Sequence, residues 1–492
     1  MPSSTIFRGS SIRTILKAKG ACSSQAETLI CLGTQNAATG SFPREARGKG
    51  SISNSRVFMI SYRTLNYDKS PAASWGSRVK VKTMQDDLTA ADRASPHPLI
   101  DLSWIREAAG DASLTLSECL QVQDIVGPNA LVDPAFYREN YGREIPKGMS
   151  CLEHFCRQQR ERPRDPNPLF SMRQWHETLG WRVSRERSWK SEFFSSFGKE
   201  ARFARREMAR QARREAILKR EVVGKEPLPG QEVCLFVHFD LNDKVQPYVH
   251  DYLVALKDQG VSTVFLTNSH TLSRDAMERL SRSVWQVVCC DNRAYDWGLY
   301  SIGVKLLDDL NCTGHPIIFA NDSVIGTMSS LSPLFEEARS GQYQITGAID
   351  SLLHDWHLQS FFIYCCAEVI SGPAWEGFWR AYRPAMDRWF VVNGQELGFS
   401  RWMTRKGIAM GAAWEYETIV RDGQDRTGSE WRRQLLNNRE ITNPTIELWD
   451  ILLEADFPFL KKAVLTTPIT AGNITVLSNL IGPRAARLRD IT

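Results

Sequence analysis

The chain has 492 residues, of which 42% are hydrophobic and 24% are charged, and its formal net charge is +5. This is the composition of a globular protein that is long enough for two or three domains. Residues 1–83 carry thirteen Lys and Arg against three Asp and Glu, so the remainder has a net charge of −5. Because the chain lacks a broad basic field, we do not expect it to bind nucleic acid.

The apolar runs and the cysteines exclude two further classes of protein. No apolar run approaches the roughly 18 residues needed to span a bilayer. The eleven cysteines lack the spacing of a zinc site or a disulfide framework. We therefore expect reduced thiols and a cytoplasmic protein.

Residues 1–83 are rich in Ser, Gly, Arg and Lys and show no sustained period, which predicts a disordered segment. Their basic, acid-poor composition suits an organelle transit peptide. It also suits a start codon assigned too early, with Met84 as the true beginning. The second interpretation is favoured because nothing in the segment is integrated with the rest of the chain.

Residues 84–181 predict a small helical module with an internal repeat. Residues 131–139 recur as residues 169–177, and an offset of thirty-eight is typical of repeat units. Each copy resembles a short amphipathic helix with an aromatic anchor. Cys151, His154 and Cys156 lie between the copies, but they lack a fourth metal ligand, so a structural role is favoured.

Residues 182–230 predict a basic helical linker. Between residues 182 and 225, Phe193, Phe197 and Ala201 lie at helical spacing among many arginines. This pattern is typical of a helix on an anionic membrane surface, and equally of a solvated linker helix.

Strands alternate with helices from residue 231 to about residue 470, and residues 471–492 form a C-terminal tail. The alternation predicts an α/β domain with a Rossmann-type, mostly parallel sheet flanked by helices. Three predicted strands end in polar clusters, which are expected to meet at one edge of the sheet and form a ligand site. The clusters are His238 with Asp240, Asn292 with Asp296, and Asn321 with Asp322.

The sequence Asn321-Asp322-Ser323 ends one of these strands. A carboxylate flanked by an amide and a hydroxyl offers ligands for the Mg²⁺ or Mn²⁺ carried by a phosphorylated substrate. The alternative is an Asx-turn, in which Asp322 bonds only to its own loop. The chain has neither a Gly-rich dinucleotide fingerprint nor a P-loop, so a nucleotide would be held by side chains and a metal.

The other candidate site residues could also have purely structural roles. Asp240, Asn292 and Asp296 are expected to bind the nucleotide and sugar, or else to cap helices. His357 and Gln359 would face the same side of an extended segment, where they could bind a sugar or phosphate. For His357 the alternative is a buried core histidine.

The motifs in order resemble the rhamnan synthesis protein F family of bacterial polysaccharide glycosyltransferases. The resemblance covers residues 231–470 and rests on segments 238–240, 291–298, 319–326 and 357–362. Asn443-Pro444-Thr445, Trp449 and segment 457–462 resemble the C-terminal signature of that family.

The resemblance implies a GT-A-like fold, a nucleotide-sugar donor, a divalent metal and transfer of a sugar such as L-rhamnose. The acceptor would be a growing rhamnan, O-antigen or capsule glycan, or a lipid-linked acceptor, at the cytoplasmic face of the membrane. Asp322 would bind the metal at the position of an Asp-x-Asp motif, although Ser323 replaces the second Asp. Ala294 likewise replaces a glycine of the family pattern.

Glu396 resembles the acidic residue that inverting GT-A enzymes use as a base. Its structural alternative is a glutamate at a helix N-terminus. Two other functions compete with sugar transfer. One is a non-catalytic glycan-binding or scaffold protein that retains the fold, and the other is a nucleotidyltransferase, which would release pyrophosphate.

Overall fold

The computed structural model describes residues 95–178, 189–312, 314–426 and 443–466. The predictions of disorder and of an early start codon for residues 1–83 concern residues outside these ranges, as does the tail 471–492. None of the helices in the described ranges is long and apolar enough to cross a membrane.

The N-terminal described part consists of short helices. Its helices are α1 Leu102–Ala109, α2 Leu116–Val126, α3 Pro134–Tyr141, α4 Cys151–Cys156 and α5 Met172–Thr178, with a 3₁₀ turn at Gly142–Glu144. His154 accepts or donates a 3.0 Å hydrogen bond with the hydroxyl of Tyr137 inside the module. This contact agrees with the structural interpretation of Cys151, His154 and Cys156.

The repeat is held together by two equivalent asparagines, Asn129 and Asn167. Each side-chain oxygen accepts from the backbone N–H groups two and three residues later, at 2.8 to 3.1 Å. Each side-chain amide donates to the backbone of the preceding copy, Asn129 to Leu99 O at 2.7 Å and Asn167 to Leu131 O at 2.8 Å. Each asparagine therefore joins one repeat to the next.

This ladder shows a third copy that the sequence reasoning missed. Leu99, Leu131 and Leu169 occupy equivalent places, and each is followed two residues later by a residue at a helix start. The first copy was missed because it lies thirty-two residues before the second rather than thirty-eight. Asp101 caps helix α1 as Asp133 caps α3, but Asp101 is followed by leucine where Asp133 is followed by proline.

Segment 182–230 differs from the predicted linker. Its described part contains α6, Trp189–Ala212, and an edge strand β1, Ile217–Val222, that the sequence reasoning did not predict. The apolar face of α6, with Phe193, Phe197 and Ala201, is fully buried in the core that the helical module shares with the sheet. That face is therefore occupied by protein. Arg205 and Arg210 of the same helix are also largely buried, in ion pairs with Asp101 and with Glu207 and Asp291.

A nine-stranded mixed sheet forms the centre of the following domain, in the order β1-β4-β3-β2-β5-β9-β7-β10, with β8 beside β7. Its remaining strands are β2 Val233–His238, β3 Ser262–Thr267, β4 Gln286–Cys290, β5 Ile317–Asn321, β7 Ile345–Ser351, β8 His357–Leu358, β9 Phe362–Cys365 and β10 Met410–Trp414. Strands β4, β3, β2 and β5 are parallel neighbours. The strands predicted at 233–237, 262–268, 285–290, 316–320 and 345–348 match β2, β3, β4, β5 and β7 to within three residues.

Helices cover both faces of the sheet. They are α7 Pro247–Asp258, α8 Arg274–Leu280, α9 Tyr295–Asp309, α10 Ser332–Arg339, α11 Ala367–Ile370, α12 Pro373–Ala381, α13 Arg388–Val391, α14 Leu397–Arg405, α15 Tyr416–Arg426, α16 Pro444–Glu447, α17 Trp449–Glu454 and α18 Ala463–Thr466. Alternate residues of β2 enter different cores, Leu235 and Val237 on one face and Cys234 and Phe236 on the other. The predicted α/β class, a sheet flanked by helices, is confirmed.

Candidate functional site

The strand order reverses between β2 and β5. The chain runs outward through β2, β3 and β4, and then returns to place β5 on the other side of β2. In open α/β sheets the loops leaving such a pair diverge, and ligands bind in the crevice between them. Asp322 lies at this switch point, where its backbone N–H donates to Val237 O at 3.1 Å.

Asn321 organises the turn at the end of β5. Its side-chain amide donates to Oδ2 of Asp296 at 2.9 Å and to Ser360 O at 3.4 Å, while its Oδ1 accepts from Ser323 N at 3.0 Å. An Asx-turn, the alternative considered for Asp322, is therefore formed by Asn321. The carboxylate of Asp322 points to a different partner.

Two adjacent lysines contact this turn. Lys462 Nζ donates to Oδ2 of Asp322 at 3.1 Å, and Lys461 Nζ donates to Oγ of Ser323 at 3.0 Å. They lie at the end of β11, Phe459–Lys461, which pairs antiparallel with β6, Val324–Gly326. The pairing is local to the site because β6 begins directly after Ser323.

Asp296 lies in the first turn of α9 and accepts the amide of Asn321. Burial, and then the negative charge of nearby Asp322, raise the pKa of Asp296 to about 7. The charge of Lys461 opposes this shift. A carboxyl whose pKa lies near neutrality is a common feature of functional sites.

Glu396 reaches the same cluster from another element. It ends a π-helical turn, Val392–Glu396, between α13 and α14, rather than starting a helix. Its Oε1 accepts from the backbone N–H of Ser360 at 3.2 Å and from the Ser360 hydroxyl at 3.0 Å. Since Ser360 O also accepts from Asn321, Ser360 links Glu396 to the end of β5. Single π-helical turns occur frequently at functional sites.

The residues around Asp322 do not fit the predicted Mg²⁺ or Mn²⁺. The side chains of Asn321, Asp322 and Ser323 already bond to Asp296, Lys462 and Lys461. Two ammonium groups beside the carboxylate would repel a divalent cation. Within the described ranges no group of three or more His, Cys, Asp or Glu side chains is arranged to hold a metal ion. The prediction of Asp322 as a metal ligand thus disagrees with this donor set.

His238 and Asp240 lie at the same edge but are used by the protein itself. His238 Nε2 donates to Lys244 O at 3.2 Å, and its Nδ1 bonds to the Thr267 hydroxyl at 2.9 Å. Burial lowers the pKa of His238. Both carboxylate oxygens of Asp240 accept from its own loop, including Gln246 Nε2 at 3.2 Å. These contacts favour structural roles over substrate binding.

Asn292 also has a structural role. Its Oδ1 accepts from Ala294 N at 3.0 Å and its amide donates to Tyr295 O at 2.6 Å, which shapes the start of α9. A Cβ at Gly298 would lie 2.2 Å from Oδ1 of Asn292, so the helix can approach this closely only with glycine there. These bonds of Asn292 stabilise the start of α9 at Tyr295.

His357 and Gln359 are buried beside the cluster. His357 Nδ1 donates to Asp355 O at 2.9 Å, as expected of a core histidine. Gln359 donates to Asn443 Oδ1 at 3.2 Å and accepts from the Thr445 hydroxyl at 3.1 Å. Gln359 therefore joins the segment before Ser360 to the C-terminal residues 443–445.

The sequence reasoning assigned no role to Lys461, Lys462 or Ser360. Two adjacent lysines directly after the apolar Phe457-Pro458-Phe459-Leu460 were a usable signal, because a charged pair ending a buried strand needs partners. Their partners could not be identified without the pairing of β11 with β6.

The comparisons with known proteins add little to this site. No family model and no solved structure matches the chain. A curated relative, the uncharacterized protein y4gN of Sinorhizobium fredii, is 23% identical over 170 residues, or 34% of this chain. The chain covers 44% of that relative. The resemblance to the rhamnan synthesis protein F family stays a prediction.

Proposed function

We propose that the protein is a glycosyltransferase that uses a nucleotide-sugar donor. The observation that carries the proposal is the meeting of Asp322, Asp296 and Glu396 at the switch point between β2 and β5, joined by Asn321 and Ser360. Polar groups from four separate segments converge where this sheet topology binds ligands. The end of β5 thus has acidic side chains beside the ammonium groups of Lys461 and Lys462. Transfer from a phosphorylated donor requires both kinds of group.

Glu396 is the proposed general base. Both bonds from Ser360 go to Oε1, so the carboxylate is held in a fixed orientation from one side. In the transfer step Glu396 takes the proton of an acceptor hydroxyl, whose oxygen attacks the anomeric carbon of the donor. The bond from that carbon to the diphosphate oxygen breaks, and the nucleoside diphosphate leaves with the electron pair. A single displacement of this kind inverts the anomeric configuration.

The sugar and the acceptor come from the family resemblance alone. L-rhamnose as the transferred sugar, a cell-surface glycan or lipid-linked acceptor, and the cytoplasmic face of the membrane are parts of the proposal. Asp296, which is half-buried and near Asp322, is the proposed hydrogen-bond partner of a sugar hydroxyl.

One observation favours a second candidate, a non-catalytic glycan-binding or scaffold protein. All three side chains of Asn321-Asp322-Ser323 have partners within the protein, and a binding surface needs no free base or exchangeable cation. The two candidates differ in turnover. A scaffold would bind glycan without releasing nucleoside diphosphate.

The test is a screen of nucleotide-sugar donors that measures free nucleoside diphosphate, run on the full chain with and without glycan acceptors. We expect release for one donor, loss of at least about 100-fold in Glu396→Gln, and a similar loss in Asp322→Ala. Release of pyrophosphate would instead indicate a nucleotidyltransferase. A folded protein that binds glycan but turns over no donor would support the scaffold.

A further inference from the structure

Lys461 and Lys462 are fixed against the turn at the end of β5 by backbone pairing. Lys461 is opposite Val324 in the β11–β6 register, and Lys462 N donates to Ser323 O at 3.2 Å. Both lysines are therefore held at the switch point by the backbone as well as by their side chains. A flexible surface lysine would not be positioned in this way.

The side chains of both lysines lie against aromatic rings. Lys461 Nζ is 4.8 Å from the centre of the Phe361 ring, and Lys462 Nζ is 5.0 Å from that of Tyr248. Aromatic faces stabilise a cation while excluding water from one side of it. The electrostatic effect of both ammonium groups on an incoming anion is consequently stronger than at an open surface.

The two lysines have different partners. Lys462 is paired with the carboxylate of Asp322, whereas Lys461 donates to the neutral hydroxyl of Ser323. Burial lowers the pKa of Lys461, against the opposing charges of Glu396 and Asp296. A single ion pair with Asp322 would account for Lys462 alone. Lys461 instead donates to a neutral hydroxyl and lies near the charges of Glu396 and Asp296, so its ammonium group is directed to the turn without an ion pair to Asp322.

We infer that Lys461 and Lys462 form the binding site for the diphosphate of the donor and act in place of a divalent metal ion. This inference rests on the proposed function. Lysine binds phosphate as a point charge, and fixed cations at a leaving phosphate stabilise the charge that develops there. Asp322 then serves as a positioning residue that holds Lys462 until the diphosphate binds, which reverses the metal-ligand role predicted from the sequence.

The test uses the full chain in EDTA, with inorganic pyrophosphate as the probe and isothermal titration calorimetry as the readout. We expect wild type to bind, and Lys461→Met and Lys462→Met each to weaken binding at least tenfold. Lys462→Arg keeps the charge and should stay within about threefold of wild type. Lys305→Met is the control, since Lys305 is a lysine of α9 that bonds to Gln211, roughly 14 Å along the helix from Asp296.

A variant with a single unpaired charge could unfold, so a double variant keeps the test decisive. Asp322→Asn combined with Lys462→Met removes both charges of the pair, and it should melt cooperatively yet still bind pyrophosphate at least tenfold more weakly. Equal binding by the folded double variant and wild type would overturn the inference. Binding that needs added Mn²⁺ would overturn it as well.

The inference and the proposed function can fail separately. Lysine-dependent pyrophosphate binding without turnover of any nucleotide-sugar would support the diphosphate site and reject sugar transfer. Turnover that requires Mn²⁺ and is unchanged in both methionine variants would support sugar transfer and reject the lysine site.

Discussion

The ammonium nitrogen of Lys462 lies 3.1 Å from Oδ2 of Asp322, although 140 positions separate the two residues in the chain. The Asp322 side chain is 10% exposed and that of Lys462 is 31% exposed. Burial opposes the charge of Lys462, but Asp322 and the hydroxyl of Tyr248 outweigh it and raise the pKa of Lys462. The pair joins the last described strand to the centre of the sheet at the proposed ligand site.

This pair should show energetic coupling in a double-mutant cycle. Asp322→Asn and Lys462→Met each leave a partly buried charge without its partner, whereas the double variant leaves neither. We expect each single variant to lower the free energy of unfolding by about 1–3 kcal/mol. This range is below that of a fully buried pair, because solvent screens the partly exposed Lys462. The double variant should lose less than the sum of the two, as measured by urea denaturation. Strictly additive losses would show that the contact contributes nothing to stability.

The orientation of Glu396 by Ser360 gives a second prediction, one that concerns rate. Ser360→Ala removes the hydroxyl bond to Oε1 and keeps the backbone bond, so transfer should fall by about tenfold, less than in Glu396→Gln. Pyrophosphate binding should be unchanged in Ser360→Ala, because this substitution changes no charge and the Ser360 hydroxyl bonds to Glu396 rather than to the two lysines. Glu376→Gln, on the exposed surface of α12, is the control and should keep wild-type activity. A Ser360→Ala protein as active as wild type would show that Glu396 needs no orienting partner.

Part of this site follows from the sequence and part does not. The abrupt change from Phe319-Ala320 to Asn321-Asp322 predicts a buried strand ending in a polar rim, and β5 ends there. Asp296 and Asn321 were expected to meet, and their side chains do, because parallel strands end at one edge of the sheet. The change from apolar to polar residues is a local feature of the sequence, so it predicts where a buried strand ends without knowledge of the tertiary structure.

The roles of Asp240 and Asn292 could not be derived in the same way. An acidic or amide side chain after a strand can bond to a ligand or to its own loop, and the amino-acid sequence is the same in both cases. Only the direction of each side chain decides, and here both bond to backbone nearby. The partnership of Asp322 with Lys462 was equally hidden, because it depends on the antiparallel pairing of two short strands far apart in sequence.

The asparagine ladder of the helical module predicts a large loss of stability from one small substitution. Asn167→Ala removes two bonds to backbone N–H groups and one to Leu131 O, and it leaves those backbone groups unsatisfied. We expect the free energy of unfolding to fall by about 2–4 kcal/mol in urea titrations. Asn140→Ala, an exposed asparagine of α3 in the same module, should cost less than about 1 kcal/mol. Equal effects would mean that the repeats are not joined through these side chains.

The docking of the helical module onto the turn that carries Glu396 gives a further prediction. Ser171 and Asn393 exchange reciprocal bonds, Ser171 N to Asn393 Oδ1 and Asn393 Nδ2 to Ser171 O, both at 2.9 Å. Because Asn393 lies in the same π-helical turn as Glu396, Asn393→Ala should loosen the proposed base. We expect transfer to fall by about tenfold with unchanged pyrophosphate binding. Loss of both together would indicate global unfolding, which circular dichroism would detect.

The buried carboxyl of Glu200 predicts how stability changes with pH. Its two oxygens accept from Met386 N at 2.8 Å and from Asp387 N at 3.1 Å, and burial raises its pKa from 4.5 to about 7. Between these two values Glu200 binds more protons in the folded protein than in the unfolded chain. Its contribution to stability is therefore fully present below pH 4.5 and is lost as the pH rises through about 7. The loss due to this group is on the order of 3 kcal/mol. Asp296, whose pKa is also raised, changes stability in the same direction.

The substitution Glu200→Gln separates the contribution of Glu200 to the pH dependence of stability from that of Asp296. The glutamine cannot ionise, so the fall in unfolding free energy between pH 5 and pH 8 should be smaller than in wild type by most of that amount. Only the part due to Asp296 and other groups should remain. Glu192→Gln, on the same helix α6, should leave the wild-type slope in place. Urea titrations of the three proteins across this pH range measure the difference, and parallel slopes for wild type and Glu200→Gln would show that Glu200 does not titrate in the folded protein.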